Sequence, residues 1–384
     1  MNPLQQKIIR RIKKEGPITF RTFMEMALYE PEFGYYMSKD IKIGREGDFY
    51  TSSHMHPVFG VMIGKQIEEM WEIMGKPSAF QIVEMGSGAG YLCKDILDYY
   101  KGFKGLRGQG VEEEKNIFKY IQYIIIELNP AMREQQKKLL ADYSDKIRWV
   151  ASLKELNNIR GCILSNELLD AFPVHLIEME DEIKEVFVSA DGEALKEIKE
   201  KPATSEISDY IKEFSIELTK HYRTEINLDI KKWLNAVNTA LTEGFILTID
   251  YGYPSHDYYD EDRNRGALLC YHKHQIVEDP YQNIGEQDIT AHVNFSSLKK
   301  CGEELGIKTL GFCRQGTFLM SLGIDEEIAN IHKNSADYLF EVARIKKLIL
   351  PGTMGETHKV MIQYKGNGEP RLRGFSMKNQ MKTL

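Results

Sequence analysis

Cysteine is scarce and poorly placed for chemistry. Cys93, Cys162, Cys270, Cys301 and Cys313 are odd in number and widely spaced, with no Cys-x-x-Cys pair of the kind a zinc site or redox motif uses. They read as reduced core thiols. Long apolar runs are also missing: none approaches the roughly 18 residues of a membrane span, and the opening residues lack the apolar stretch of a secretory signal. Membrane insertion is therefore not expected, and a cytoplasmic enzyme is. Positive charge is in short supply too. Fifty lysines and arginines stand against 57 acidic residues, for a formal charge of -7, which disfavours a broad nucleic-acid-binding face. Internal repeats and low-complexity tracts are absent as well. What is present is ordinary globular material, 42% hydrophobic and 28% charged. At 384 residues the chain exceeds the roughly 250 to 300 at which single cores stop growing, so one domain with a sizeable cap or insertion is expected.

Leu4, Ile8, Ile9 and Ile12 share one helical face, with positive charge on the rest. This fits an amphipathic helix docked on the domain, or a transit or membrane-surface segment. Phe80 to Glu84 is a short β-branched run ending in a glycine-rich turn, and Tyr91 to Tyr100 resumes with helical spacing. Tyr123 to Glu127 is apolar enough for a buried parallel strand. Asn129-Pro130 then supplies an N-cap and a first-turn proline for a helix through about Ala141. Gly161 to Asn166 and Gly244 to Asp250 are further buried strands, with Lys146 to Val150 a weaker one. Strands alternating with helices imply an α/β, doubly wound, mostly parallel sheet over residues 80–365. Residues 1–79 lack the repeating unit and are expected to form a helical cap. The pattern breaks over about 175–240 into a strand pair, His175 to Glu178 and Glu185 to Val188, and a charged helical stretch, read as an inserted α+β subdomain. Residues 366–384, with Gly366, Gly368, Pro370 and Gly374, read as a flexible tail.

In an open parallel sheet the ligand crevice lies at the carboxyl ends of the strands. Gly86, Gly88 and Gly90 fall on the first strand-to-helix turn, where they let the backbone take positive φ and a ligand approach closely, or serve only for close helix packing. A nicotinamide fingerprint starting at Gly86 would need a small residue where Tyr91 stands. Glu84 ends its strand, where it can reach a cationic ligand or orient the turn. Glu127 ends the next, where an acid can accept both ribose hydroxyls. Two acids at one crevice suit an adenosine carrying an ammonium and a sulfonium, and would repel a pyrophosphate. S-adenosylmethionine is the cofactor expected.

The turn Glu84 to Gly90 resembles the first motif of class I methyltransferases, and the likeness extends further. Phe23 to Tyr29, Pro31 to Tyr36, Gly44 to Ser52, Ser165 to Val174, Asp250-Tyr251-Gly252, Gly285 to Val293 and Leu350 to Gly355 all resemble the MidA-like family of S-adenosylmethionine-dependent methyltransferases. Relatives in that family include the mitochondrial complex I assembly arginine methyltransferase. The resemblance implies a Rossmann-like sheet and a protein substrate methylated on arginine. A small-molecule methyltransferase and a cofactor-binding assembly factor or chaperone with little turnover are the alternatives. It leaves the oligomeric state open. Ala89 departs from the family turn, where an arginine or lysine commonly precedes the last glycine.

Asn166, Glu167 and Asp170 follow the fourth strand, where the family fold meets its substrate. A guanidinium, with a pKa above about 12, cannot lose its proton ahead of reaction at neutral pH, so carboxylates that hold it and accept a proton late are the equipment needed. Glu167 is the residue expected to orient the nucleophile. The plain alternative is that Asn166 and Asp170 cap a following helix. Gly47, Asp48 and Thr51 lie in a loop that either covers the cofactor or is a structural turn. Glu286, Asp288 and His292 line the substrate side or form a buried hydrogen-bond network. The histidines at 54, 56, 272 and 274 lack the company of cysteines and the helical pairing of a metal site, so no metal is expected.

Overall fold

The computed structural model describes residues 2–38, 51–102, 116–335 and 337–384. The chain divides into two compact units, each assembled from three separate segments. One comprises Met1–Phe49, Leu169–Trp233 and Gly252–Leu298. It opens with helices α1 (Pro3–Glu15) and α2 (Phe20–Tyr29). The Asn2 side chain caps α1 by accepting from the Gln5 amide, Pro3 occupies the first turn, and Gly16 at φ +90° ends it. Leu4, Ile8 and Ile12 are buried with Phe20, Phe23 and Leu28 of α2 against Val174, Leu176, Val186 and Val188, so the opening helix uses its apolar stripe as a docked helix does. The expected strand pair is the centre of a five-stranded antiparallel sheet: Ile183–Asp191 pairs with Ile18–Thr19, His175–Met179 and Ala194–Glu200, and His175–Met179 with Arg223–Ile226.

The other unit comprises Tyr50–Leu168, Leu234–Tyr251 and Lys299–Leu384. Its sheet has strands β1 (Phe80–Met85), β2 (Ile121–Ile126), β3 (Ile147–Val150), β4 (Ile159–Asn166), β5 (Leu241–Tyr253), β6 (Lys308–Arg314) and β7 (His358–Lys365), in the order 6-7-5-4-1-2-3. The pairs β1–β2, β1–β4, β2–β3 and β4–β5 are parallel, and β7 is antiparallel to β5 and β6. Chain order reverses between β1 and β4, which is the topological switch point of this kind of sheet. Four helices matter to the site: α3 (Ser52–Met55), α4 (Val58–Ile73), α5 (Tyr91–Tyr100) and α6 (Pro130–Leu139).

Three expectations about domain limits give way. The cap expected over residues 1–79 breaks up, because α4 belongs to the sheet unit. Its Phe59, Met62, Ile63, Ile67 and Met70 are buried in that unit's core. Gly60 and Gly64 let α5 come close, since a Cβ on Gly60 would stand 2.3 Å from Asp95 Cβ and one on Gly64 2.7 Å from the Tyr99 ring. The segment 175–240 is not a self-contained insertion. Its first part shares a core with α1 and α2, as its short strands cannot bury both faces alone. The tail is held, because Leu372 and Phe375 are buried in the sheet unit's core, the Gly374 N–H donates to Gln66 Oε1 at 3.1 Å and the Gln380 N–H to the Phe312 carbonyl at 2.7 Å.

Candidate active site

The switch point places the ends of β1 and β4 side by side. After Met85 the chain turns through Gly86, Gly88 and Gly90 at φ +71°, +52° and +91°, a left-handed region that side chains with a Cβ enter at a cost. Helix α5 then starts at Tyr91 with no side chain capping it, which leaves amide donors at its N-terminus for an anion. A Cβ on Gly86 would stand 3.0 Å from Leu168 Cδ1, and one on Gly90 3.3 Å from Leu140 Cδ1. The turn is thus fitted between the β4 exit and α6.

Two carboxylates flank it. Glu84 is 2% exposed, and its Oε2 accepts from the Tyr123 hydroxyl at 2.6 Å. Burial pushes its carboxyl up to about 7, against the lowering pull of the Tyr123 and Ser87 hydroxyls. Glu127 follows β2, its Oε1 accepting from the Asn129 N–H at 2.8 Å and its Oε2 from Gln136 Nε2 at 3.0 Å. Burial raises its carboxyl as well, opposed by those donors and by Arg133. A carboxylate accepts at about four positions, so these donors leave room on both oxygens, the pattern a vicinal diol needs.

At the β4 end stands Glu167, with φ +52°. A non-glycine residue held there costs about 1–3 kcal/mol and persists only where its surroundings over-determine it. Here they do. The Glu167 N–H donates to the Ile249 carbonyl at 2.8 Å and the Leu168 N–H to Asp250 Oδ2 at 3.2 Å. The Glu167 Oε1 accepts from the Ser52 N–H at 3.1 Å and from Asn166 Nδ2 at 3.2 Å, with His358 Nε2 3.5 Å away. Its Oε2 accepts from the Tyr251 hydroxyl at 3.3 Å, and the Tyr251 ring packs against His358 at a tilt of 46°, with centroids 4.0 Å apart. The His54 ring is edge-on to Tyr91, and burial lowers its pKa while Glu167 pulls the other way.

The chain that carries this glycine turn, its two flanking acids and Glu167 has recognised relatives. The model of a family of S-adenosyl-L-methionine-dependent methyltransferases matches residues 62–313, about two-thirds of the chain. The chain belongs to that family. A crystal structure from Burkholderia thailandensis, bound to S-adenosyl-homocysteine, superposes on this methyltransferase with a TM-score of 0.89 and 29% identity, covering 99% of this chain and 96% of that one. The human mitochondrial protein arginine methyltransferase NDUFAF7 is 28% identical over 347 residues, spanning 85% of this chain and 74% of the human protein. Its Drosophila melanogaster homologue is 26% identical over 392 residues, spanning 94% and 85% respectively.

Within this methyltransferase the structure sorts the residues singled out from the sequence. Glu84, Gly86, Gly88, Gly90, Glu127, Asn166 and Glu167 belong to the sheet unit, as does Thr51, whose hydroxyl is engaged by His54 Nδ1 at 2.7 Å and Ser53 Oγ at 2.9 Å. Gly47 and Asp48 lie outside the described residues. Asp170 belongs to the other unit, where its carbonyl accepts from the Ala291 N–H at 2.9 Å. No helix follows Asn166, so the helix-capping alternative for Asn166 and Asp170 falls away. Asp288 is buried and accepts from the Tyr36 hydroxyl at 2.8 Å, which is the hydrogen-bond-network alternative. Among the described residues no group of three or more histidines, cysteines and acids is placed to hold a metal ion.

Gln136 and His358 were passed over in the sequence. Gln136 carried a signal, a glutamine in the stripe formed by Met132 and Leu139 of α6 and Leu140 at its end. His358 carried none, being a lone polar residue at a strand start.

The Glu84 carboxyl has a consequence for stability. Its folded pKa of about 7 lies above the ordinary 4.5, so its contribution is full below pH 4.5 and is lost as the pH rises through 7. Unfolding free energy of the ligand-free protein is expected to fall across that window, by up to roughly 1.4 kcal/mol per pH unit from this group. Asp95 is also pushed up to about 7 by burial and Asp98, so the quantity to measure is the difference in slope between wild type and Glu84→Gln in urea titrations at pH 5 and 8. Equal slopes would show that Glu84 is not the group responsible.

Proposed function

We propose that this methyltransferase transfers the S-adenosylmethionine methyl group to an arginine side chain of a protein. The observation that carries the arginine reading is the likeness, over most of both chains, to proteins named as protein arginine methyltransferases. The site fits the cofactor. The left-handed glycine turn and the open start of α5 suit its amino-acid portion, with Glu84 toward the ammonium, and Glu127 accepts the ribose hydroxyls. Such a ligand supplies an electrophilic methyl on a sulfonium.

The reaction forms a nitrogen–carbon bond, breaks the carbon–sulfur bond with its electron pair left on sulfur, and releases one N–H proton. Because the guanidinium holds its protons to a pKa above about 12, that proton leaves late. Glu167 Oε2 is the less occupied oxygen of its carboxylate and is the atom we assign to hold the nucleophile and take the proton. Asn166 donates to Oε1 and steadies the group.

The test is transfer from radiolabelled S-adenosylmethionine into a cell lysate, followed by acid hydrolysis and amino-acid chromatography. Label is expected in methylarginine. Label confined to another residue or to small molecules would overturn the arginine reading while leaving methyl transfer intact.

A further inference from the structure

We infer that Gln136 is a positioning residue for the cofactor, locking the Glu127 carboxylate to the glycine turn so that an acceptor position on each oxygen is left for the ribose hydroxyls. The inference rests on the reading of Glu127 as the ribose acid.

Gln136 is fully buried on α6, and a buried primary amide is costly unless its donors and acceptor are all used. Its Oε1 accepts from the Trp149 indole N–H at 3.0 Å, and its Nε2 donates to the Gly88 carbonyl at 2.7 Å and to Glu127 Oε2 at 3.0 Å. The amide has one sensible orientation. An indole N–H can only donate, so the amide oxygen must face Trp149 and the NH2 must face the two acceptors. Its partners come from the turn after β1, the residue after β2, and β3. One side chain therefore ties three successive strand ends at the edge where the sheet meets its ligand. The side chain packs directly against the turn, since a Cβ on Gly90 would be in ordinary contact with Gln136 Cγ at 3.5 Å. The Asn129 N–H holds the other oxygen of Glu127 at 2.8 Å. With the Asn129 N–H on one oxygen and the Gln136 amide on the other, the carboxylate cannot rotate freely, and each oxygen keeps an acceptor position for a neighbouring hydroxyl.

A purely structural clip would show as lost stability. A positioning residue shows in which ligand is lost. The experiment compares calorimetric affinity for S-adenosylhomocysteine with that for its 2′,3′-dideoxy analogue, in wild type, Gln136→Met, Glu127→Ala and the double variant, with melting temperatures of the ligand-free proteins. Methionine keeps the length and bulk of glutamine without its hydrogen bonds. Gln136→Met and Glu127→Ala are each expected to weaken S-adenosylhomocysteine by about 10- to 100-fold, the range for hydrogen bonds to charged groups. The dideoxy analogue should lose less than about threefold, since those bonds are absent from it. The double variant should add little to either single one. Trp149→Phe, which frees the amide to turn, should give the same ligand-selective pattern at smaller size, and carries the comparison if Gln136→Met does not fold. Equal loss for both ligands, or a lower melting temperature with unchanged affinities, would reduce Gln136 to a structural clip. If Glu127→Ala itself leaves the ratio of the two affinities at its wild-type value, Glu127 is not the ribose acid, and the inference falls with that reading.

Discussion

Gly88→Val is expected to weaken S-adenosylhomocysteine binding by at least about 100-fold, roughly 2.8 kcal/mol or more, in a protein whose circular dichroism stays near that of wild type. Gly88 sits at φ +52° in the middle of the turn, and its carbonyl accepts from Gln136. A β-branched side chain there meets two obstacles. The left-handed conformation costs about 1–2 kcal/mol for a residue with a Cβ, so the turn is driven toward another shape. If it holds its shape, the valine methyls occupy the space through which a ligand approaches the backbone. The strain alone can be reproduced elsewhere. Gly75 lies at φ +80° with nothing within 4 Å of an added Cβ, so Gly75→Val serves as a control that should destabilise comparably and bind normally. Calorimetry on both variants decides the matter. An unchanged affinity in folded Gly88→Val would place the cofactor away from this turn.

The turn itself was legible because its signals are local. β1, β2, β4 and β5 are short apolar runs closed by glycine, Asn129-Pro130 or polar residues, and a buried parallel strand needs little more than that. Glu84 and Glu127 could be placed by counting to the ends of those runs. What escaped depends on partners far along the chain. Leu372 and Phe375 look like stray apolar residues among glycine, proline and arginine, and only the sheet unit's core, where the Phe318 ring lies against Phe375, gives them a place. Helix α4 precedes the first sheet strand, so periodicity could show that it is a helix without showing which unit it covers. Asp170 follows Glu167 by three positions, yet the chain passes between the compact units after Leu168, a division set by three interleaved segments and invisible to spacing. The Glu167–Tyr251–His358 group joins the ends of β4 and β5 to the start of β7, residues up to 191 positions apart that no sequence window connects.

Replacing Glu167 with glutamine is expected to slow methyl transfer by about 10² to 10⁴, the span usual for a general acid or base, while melting temperature and cofactor affinity stay close to wild type. The structure shows why folding should survive. The Ser52 N–H and the Asn166 amide both donate to Oε1, which the glutamine can keep as its carbonyl oxygen. Its NH2 then takes the place of Oε2, opposite a Tyr251 hydroxyl that now donates across 3.3 Å and can rotate to accept instead. The main-chain bonds to Ile249 and Asp250 that hold the left-handed backbone involve no side-chain atom of Glu167. Glu167→Ala differs, since it removes the acceptor for three donors, the Ser52 N–H, the Asn166 amide and the Tyr251 hydroxyl, and should lower stability by about 1–3 kcal/mol. The pair of variants therefore separates chemistry from architecture. Single-turnover transfer into the labelled lysate protein supplies the rate, and thermal melts supply the stability. If glutamine transfers at the wild-type rate while alanine only melts earlier, Glu167 is a strut for the Ser52 and Tyr251 contacts and its strained backbone serves the fold. If glutamine is slow in a fully stable protein, the carboxylate charge itself is required, and the left-handed strand end is a cost borne to hold one oxygen toward the reacting nitrogen.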